Sequence, residues 1–262
     1  MDQDLPCQFF SFKDTALAVR HRKGSSSPGL VWITGYGANM LASKAVMVDA
    51  FAQKNGLSCL RFDHSGHGES EGNFLEGTIS RWVEESLAVI EAYCEGPQIL
   101  IGSSMGGWIA LRLAQMLAKK SKMLAGMMLI APAPDFTRTV VEPLLGIVEW
   151  QILEEKGYIE VPAIRKIGYV EPKPVSKVFI KDGRENFVMK GCIDVGCPVH
   201  ILHGMEDEQI PYQHTLDLLN HLPLNDVTLT LVRDADHSIS RPQDLDCIET
   251  ALKLLVDRVK AK

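Results

Sequence analysis

The chain has 262 residues, 46% of them hydrophobic and 23% charged, and a net charge of −6. Those figures fit one globular α/β domain, and the acidic balance argues against nucleic acid or an anionic membrane surface as a partner. No apolar run approaches the ~20 residues of a membrane-spanning helix, so no stable membrane insertion is expected. The acidic start Met1-Asp2-Gln3-Asp4 leads into no apolar leader, which makes a cytoplasmic protein the expectation.

Two short strands open the chain, Gln8 to Phe12 and Leu17 to Arg22, as an antiparallel pair. The polar stretch from His21 to Gly29 reads as a flexible connection. Leu30-Val31-Trp32-Ile33 lacks alternation and reads as a strand buried on both faces, broken by Thr34-Gly35-Tyr36-Gly37. A helix is predicted from Ser43, with Ala45, Val48, Phe51 and Ala52 on one stripe and a stop at Asn55-Gly56. Ser58 to Phe62 is the next strand and leads into the loop Asp63-His64-Ser65-Gly66-His67-Gly68-Glu69-Ser70. Thr78 is placed to cap a helix reaching Cys94, with Ile79, Val83, Leu87 and Ile90 as its apolar face.

A strand from Gln98 to Gly102 and a helix from Met105 to about Lys120 follow, with Lys119, Lys120 and Lys122 favourably placed at that helix's negative end. Met127 to Ile130 is another buried strand. From Ala133 to about Met189 the rhythm breaks. Pro134, Pro143, Pro162, Pro172 and Pro174 punctuate short amphipathic pieces, among them Leu144 to Glu155. The stretch is too short to own a core, so it reads as a cap, approximately 133–190, inserted in a single domain spanning 1–262. The rhythm resumes with the strand Val199 to Leu202, a helix from Tyr212 to Leu222, the strand Val227 to Val232 and a helix from Gln243 to about Lys260 that has Pro242 in its first turn. Such alternation implies a mostly parallel sheet with helices on both faces and a site at the strands' carboxyl ends.

The six cysteines, Cys7, Cys59, Cys94, Cys192, Cys197 and Cys247, have no framework spacing and read as reduced, mostly buried thiols. Cys192, Cys197, His200 and His203 are metal-ligand types, but Cys197 to His203 reads as a buried strand. No metal and no cofactor is expected.

Gly102-Ser103-Ser104-Met105-Gly106 has the Gly-x-Ser-x-Gly form, with an apolar strand before it and a helical pattern after it. A serine on such a strand-to-helix turn is thrust out of the sheet, and the helix start aims free N–H groups and a positive dipole end at what binds there. A Cβ at position 102 or 106 would collide with the neighbouring strand or helix. A serine hydroxyl needs a base, the base needs a carboxylate, and the oxyanion needs donors. In a serine-first chain order the carboxylate and the histidine lie downstream on later strand ends.

His203-Gly204-Met205-Glu206-Asp207-Glu208 follows one such strand and makes Asp207 the candidate acid. Glu206 and Glu208 rank below it, because alternate side chains of an extended turn face away. Asp236-His237-Ser238 follows the last strand and makes His237 the candidate base. The backbone N–H groups of Tyr36 and Met105 are the candidate oxyanion donors, and Gly37 relieves the turn. His64 and His67 also follow a strand end, but chain order favours His237. Asp63 is expected to organise its loop by accepting backbone N–H groups. Met105, Trp108, Leu75, Trp150 and Met205 are candidates for an acyl pocket or for core.

The runs Gly35-Tyr36, Arg61-Phe62-Asp63-x-Ser65-Gly66-x-Gly68-x-Ser70, Gly102-Ser103-Ser104-Met105-Gly106-Gly107-Trp108, His203-Gly204-Met205-x-Asp207 and Asp236-His237 resemble the α/β-hydrolase fold over nearly the whole chain. The Gly-Ser-Ser-x-Gly-Gly-Trp elbow and the Arg-Phe-Asp-x-Ser-Gly stretch resemble one α/β-hydrolase-domain group more than hydrolases generally. That group includes a mitochondrial palmitoyl-protein thioesterase, also described as an esterase of mycophenolic acid acyl-glucuronide. The resemblance implies Ser104 as nucleophile, Asp207 as acid and His237 as base, the same roles that chain order assigns.

The expected activity is a serine hydrolase acting on carboxylic esters or acyl-thioesters of a small molecule or an acylated protein. Nothing identifiable in the sequence binds a free amino terminus, which argues against a peptidase. The alternative is a ligand- or partner-binding module on a hydrolase scaffold with little turnover.

Overall fold

The alternation read from the sequence forms an eight-stranded sheet in a computed structural model that describes residues 5–117, 124–160, 173–223 and 226–261. In chain order the elements are β1 (Gln8–Phe12), β2 (Thr15–Arg22), β3 (Ser26–Ile33), α1 (Ser43–Lys54), β4 (Leu57–Phe62), α2 (Ile79–Tyr93), β5 (Gln98–Ser103), α3 (Met105–Leu117), β6 (Leu124–Ile130), α4 (Ile147–Lys156), β7 (Tyr158–Ile159), β8 (Val175–Ser176), α5 (Lys177–Glu185), β9 (Val199–Gly204), α6 (Tyr212–Leu219), β10 (Val227–Val232) and α7 (Pro242–Lys260). The sheet runs β1-β2-β4-β3-β5-β6-β9-β10. β2 pairs antiparallel with β1 and β4, every other pairing in this sheet is parallel, and β7 and β8 form a separate antiparallel pair.

Two apolar layers sandwich the central strands, which is why those strands read as unbroken apolar runs. Leu30 and Trp32 point from β3 into the layer that holds Val48 and Phe51 of α1 and Ile248 and Leu252 of α7. Their neighbours Val31 and Ile33 point the other way, toward Trp82 and Val83 of α2 and Ile109 and Leu113 of α3. The Thr78 hydroxyl caps α2 by accepting from the Arg81 N–H at 3.1 Å. Trp82 and Val89 are buried on that helix, whereas Leu87, expected on its inner face, is half-buried.

The stretch from His21 to Gly29 is not a flexible connection throughout. β2 runs through His21 and Arg22, and β3 begins at Ser26, where it pairs with Leu57. Sheet pairing overrides a composition of Ser, Pro and Gly that reads locally as loop. The cysteines are also less buried than expected: Cys59 is buried, Cys7, Cys94 and Cys197 are half-buried, and Cys192 and Cys247 are exposed. β9 starts at Val199, so Cys197 lies outside it. Lys119, Lys120, Lys122, Pro162 and Pro172 lie outside the described residues.

Between β6 and β9 the chain makes a π-helical turn at Thr137–Val141, a short 3-10 turn at Glu142–Leu144, then α4, the β7–β8 pair and α5. Asp135 ties the two ends of this excursion, its carboxylate accepting from the N–H groups of Val188 at 2.9 Å and Met189 at 2.8 Å. Burial pushes that carboxyl up to about 6 against those two hydrogen bonds. Two further bonds dock the segment on the sheet's helices: Trp108 Nε1–H donates to the Asn186 carbonyl at 3.0 Å, and the Ser80 N–H donates to Asp182 at 2.9 Å.

Candidate active site

Ser104 sits on the turn between β5 and α3 with φ at +54°, in the left-handed region that L side chains rarely adopt. The flanking glycines make that turn possible. A Cβ on Gly102 would lie 2.4 Å from the Gly106 carbonyl oxygen, and one on Gly106 would lie 2.1 Å from the Ile33 carbonyl oxygen. Both neighbours are backbone and have little freedom to retreat.

The loops after β9 and β10 meet beside this turn. Gly204 allows the contact, since a Cβ there would lie 2.2 Å from the Ala235 carbonyl oxygen. The Met205 N–H donates to the Val232 carbonyl at 2.9 Å and the Glu206 N–H to that of Ala235 at 3.0 Å, which joins the two loops. Ser104, Asp207 and His237 are thereby brought together. His237 Nε2 lies 2.9 Å from Ser104 Oγ, and His237 Nδ1 lies 2.7 Å from Asp207 Oδ2. A carboxylate can only accept, so Nδ1 carries the proton and Nε2 is left to accept the serine hydroxyl.

Asp207 is buried, and burial alone would raise its carboxyl. The hydrogen bonds from His203 and His237, with those from the backbone, hold it well below the usual carboxylate range instead. Its Oδ1 accepts the N–H groups of Gln209 and Ile210, each at 2.9 Å. Its Oδ2 accepts His203 Nε2 at 3.0 Å in addition to His237. Glu206 and Glu208 are exposed and point away, as the turn geometry predicts.

Tyr36 and Met105 flank the serine. A Cβ on Gly35 would lie 3.1 Å from the Ser103 carbonyl oxygen and 3.3 Å from Ser104 Cβ, so this loop abuts the elbow. Neither the Tyr36 nor the Met105 backbone N–H donates to a protein acceptor among the described residues. The Tyr36 hydroxyl donates to the Pro174 carbonyl at 2.7 Å, and its ring stacks on Phe179 with centroids 5.0 Å apart.

The Arg61-Phe62-Asp63 stretch grips this segment from below. Asp63 Oδ1 accepts the Met40 N–H at 2.7 Å, and Arg61 donates to the Met40 carbonyl at 3.0 Å. Asp63 Oδ2 takes the Glu69 N–H at 3.0 Å, the loop-organising role expected of it. His64 and His67 are buried and do not reach the serine: His64 Nε2 pairs with Ser86 Oγ at 3.0 Å, and His67 Nε2 with the Gly37 N–H at 3.0 Å.

A cleft of about 630 Å³ opens over Ser104 and His237. Its apolar lining comes from Tyr36, Leu41, Phe136, Val140, Val141 and Ile210, with Lys44 and Lys173 as its only charged residues among those described. None of the five pocket candidates lines it. Met105 and Trp108 are fully buried, because the first turns of α3 point into the core under the elbow. The lining supplied by residues 136–141 carries no sequence motif and is set by the fold of the inserted segment. Sequence reasoning also missed His203, although its position four residues before Asp207 was a usable signal. Lys44 donates to the Ser238 carbonyl, next to His237, and burial pushes its ammonium down to about 8 against the pull of Asp236, Asp207 and Asp244.

Known proteins share this fold. Residues 29–166 match the family described as serine aminopeptidase, S33. The mouse palmitoyl-protein thioesterase ABHD10, mitochondrial, is 35% identical over 93% of this chain and 80% of its own length. A protein from Agrobacterium vitis described as a candidate hydrolase superposes with a TM-score of 0.88 at 45% identity, covering 96% of this chain and 99% of that one. Alpha/beta hydrolase domain-containing protein 10 from mouse superposes with a TM-score of 0.86 at 32% identity, covering 97% and 99%.

Proposed function

Because the chain belongs to the α/β-hydrolases of the serine aminopeptidase S33 family, and is a serine hydrolase of the ester or thioester type, we propose that it works through an acyl-enzyme on Ser104. His237 Nε2 takes the hydroxyl proton as Ser104 Oγ attacks the acyl carbonyl. Asp207 fixes the imidazole's tautomer and stabilises the imidazolium that forms. The N–H groups of Tyr36 and Met105 receive the oxyanion. His237 then returns the proton to the departing alcohol or thiol, and a water activated by the same imidazole releases the acid. The observation that carries this reading is the 2.9 Å contact of His237 Nε2 with Ser104 Oγ, backed by Asp207 at 2.7 Å.

The substrate reading is an acyl ester or thioester with an apolar acyl chain, on a small molecule or an acylated protein. The apolar cleft wall supports it, as does the thioesterase activity in the names of the ABHD10 relatives. Among the described residues the cleft lining holds no Asp or Glu. A carboxylate that could seat a free amino terminus is therefore not among them, which favours ester or thioester cleavage over aminopeptidase action. Residues 133–190 are proposed as the cap over this cleft, since Phe136, Val140 and Val141 come from it.

A fluorophosphonate probe tests the mechanism. The native protein should label stoichiometrically and Ser104→Ala not at all. Turnover of p-nitrophenyl esters should fall by orders of magnitude in that variant, as removal of a triad member does. Labelling that persists without Ser104 would move the nucleophile elsewhere. Absence of labelling and turnover in the native protein would favour the binding module. Acyl-thioesters, aryl esters and an acyl-glucuronide, graded by chain length, then rank the substrates.

A further inference from the structure

We propose that His67 is a positioning residue for this reaction: its unprotonated Nε2 holds the Gly37 N–H and so fixes the peptide that follows the Tyr36 oxyanion donor. The inference rests on the acyl-enzyme reading above, and names what keeps one of its two donors in place.

The geometry determines the tautomer. Gly37 N–H can only donate, and it lies 3.0 Å from His67 Nε2. Nε2 is therefore the bare nitrogen. Nδ1 carries the proton and gives it to the Ser65 carbonyl at 3.1 Å. Both ring nitrogens are committed, and the ring is buried against Phe74 and Trp82, with centroids 5.0 and 5.1 Å away. The acceptor is thus held in one orientation.

The support beneath it is equally fixed. The Ser65 carbonyl also accepts Trp82 Nε1–H at 3.2 Å, and the Ser65 N–H donates to Glu85 at 2.9 Å, so the loop bearing His67 is tied to α2 at two points. The segment it holds has no regular structure of its own. Gly37 has φ at +69°, and the Lys173 stem lies close enough that a Cβ there would sit 2.5 Å from Lys173 Cγ. An oxyanion donor works only if it is aimed before the charge forms. His67 supplies that aim from behind at Gly37, as Asp63 and Arg61 do three residues later at Met40. The Nε2 of His64 is taken by Ser86 instead, so of the two loop histidines the role falls to His67.

The test separates accepting a hydrogen bond from filling space. His67→Leu keeps an apolar body of similar bulk and removes the acceptor. His67→Gln offers an amide oxygen in its place. With a p-nitrophenyl ester, kcat of the Leu variant should fall roughly 10- to 100-fold, less than outright loss of a donor, with KM changed less than about threefold. The Gln variant should recover most of that loss. Inhibition by a trifluoromethyl ketone, which forms an oxyanion on the enzyme, should weaken in the Leu variant in step with kcat, while binding of the carboxylic acid product stays constant.

A Leu variant that keeps wild-type kcat, or a Gln variant no better than Leu, would overturn the proposal. Should the Leu variant not fold, long-range proton–nitrogen correlation on the native protein decides instead. The Nδ1–H tautomer of His67 is required, and the Nε2–H tautomer would sink the idea. Loss of the underlying reading looks different, because the native protein would then have no Ser104-dependent turnover to compare.

Discussion

His203 and His237 donate to the same oxygen of Asp207, Oδ2, at 3.0 and 2.7 Å. His203 is locked, since its Nδ1 accepts from Thr215 Oγ1 at 2.7 Å and its Nε2 also reaches the Ile210 carbonyl at 2.8 Å. Sharing an oxygen draws negative charge away from the imidazole proposed to transfer the proton. Replacing His203 by Phe removes one donor and leaves the carboxylate freer to stabilise the His237 imidazolium. The Phe variant should keep kcat/KM within about tenfold of the parent's, far short of the loss on removing a triad member. A loss of about 10³-fold or more would give His203 a larger part in the site than holding Asp207.

Asp207→Asn makes the complementary demand. The carboxylate now receives four donors, from His203, His237, Gln209 and Ile210. An amide offers one oxygen and presents its NH₂ to at least one of them. If the NH₂ faces His237, the imidazole is driven to the wrong tautomer, and kcat should fall by about 10⁴ as for other triads so altered. The variant should also unfold more easily, because a buried donor is left unmet at a cost of about 1–3 kcal/mol. Urea titration beside the kinetics reads both effects. Full activity in the Asn variant would remove Asp207 from the mechanism.

The fold and the three central side chains were legible because each is written locally. Apolar runs of strand length, a capping Thr78 and a Gly-x-Ser-x-Gly turn between strand and helix all lie within a few residues of what they specify. Asp207 and His237 could be picked because strand ends in a parallel sheet point to one edge. The cleft wall was not legible. Trp108 and Met105 look like pocket residues by composition, yet α3 turns them inward, and Phe136, Val140 and Val141 take that place through a segment with no periodic signal. The start of β3 was lost for a related reason: Ser26 is held by Leu57 of β4, a partner no local window contains.

Two glycines beside the serine should behave differently when given a methyl group. At Gly106 in α3 the new Cβ would meet the Ile33 carbonyl oxygen of β3 at 2.1 Å, and that backbone is held in the sheet. Gly106→Ala should cost at least about 2 kcal/mol or yield no soluble protein. At Gly35 the nearest atoms stand at 3.1 and 3.3 Å and need yield only a few tenths of an ångström. Gly35→Ala should fold with a melting temperature close to the parent's. Its kcat should drop by roughly 10-fold or more, because the yielding atoms belong to Ser103, Ser104 and the Tyr36 loop. Equal losses of stability and activity at both positions would contradict this division.

His67 also gives the fold a dependence on acid. Burial pushes its imidazole from 6.5 down to about 4, outweighing the raising effect of the Ser65 carbonyl. Between those values the unfolded chain binds a proton that the folded chain refuses. Stability contributed by this group is therefore complete above about pH 6.5 and is lost as the pH falls toward 4, by about 2 kcal/mol between pH 7.5 and pH 5. His64, fully buried and also lowered by that burial, acts in the same sense. Asp135, raised to about 6 by burial, acts in the opposite sense, since the folded chain keeps a proton there as the pH falls. The wild-type slope mixes all three. Comparing urea midpoints of wild type and His67→Leu at the two pH values isolates one of them. The Leu variant should lose about 2 kcal/mol less on acidification than the parent. Parallel losses in both proteins would mean that His67 is not held neutral against the Gly37 N–H.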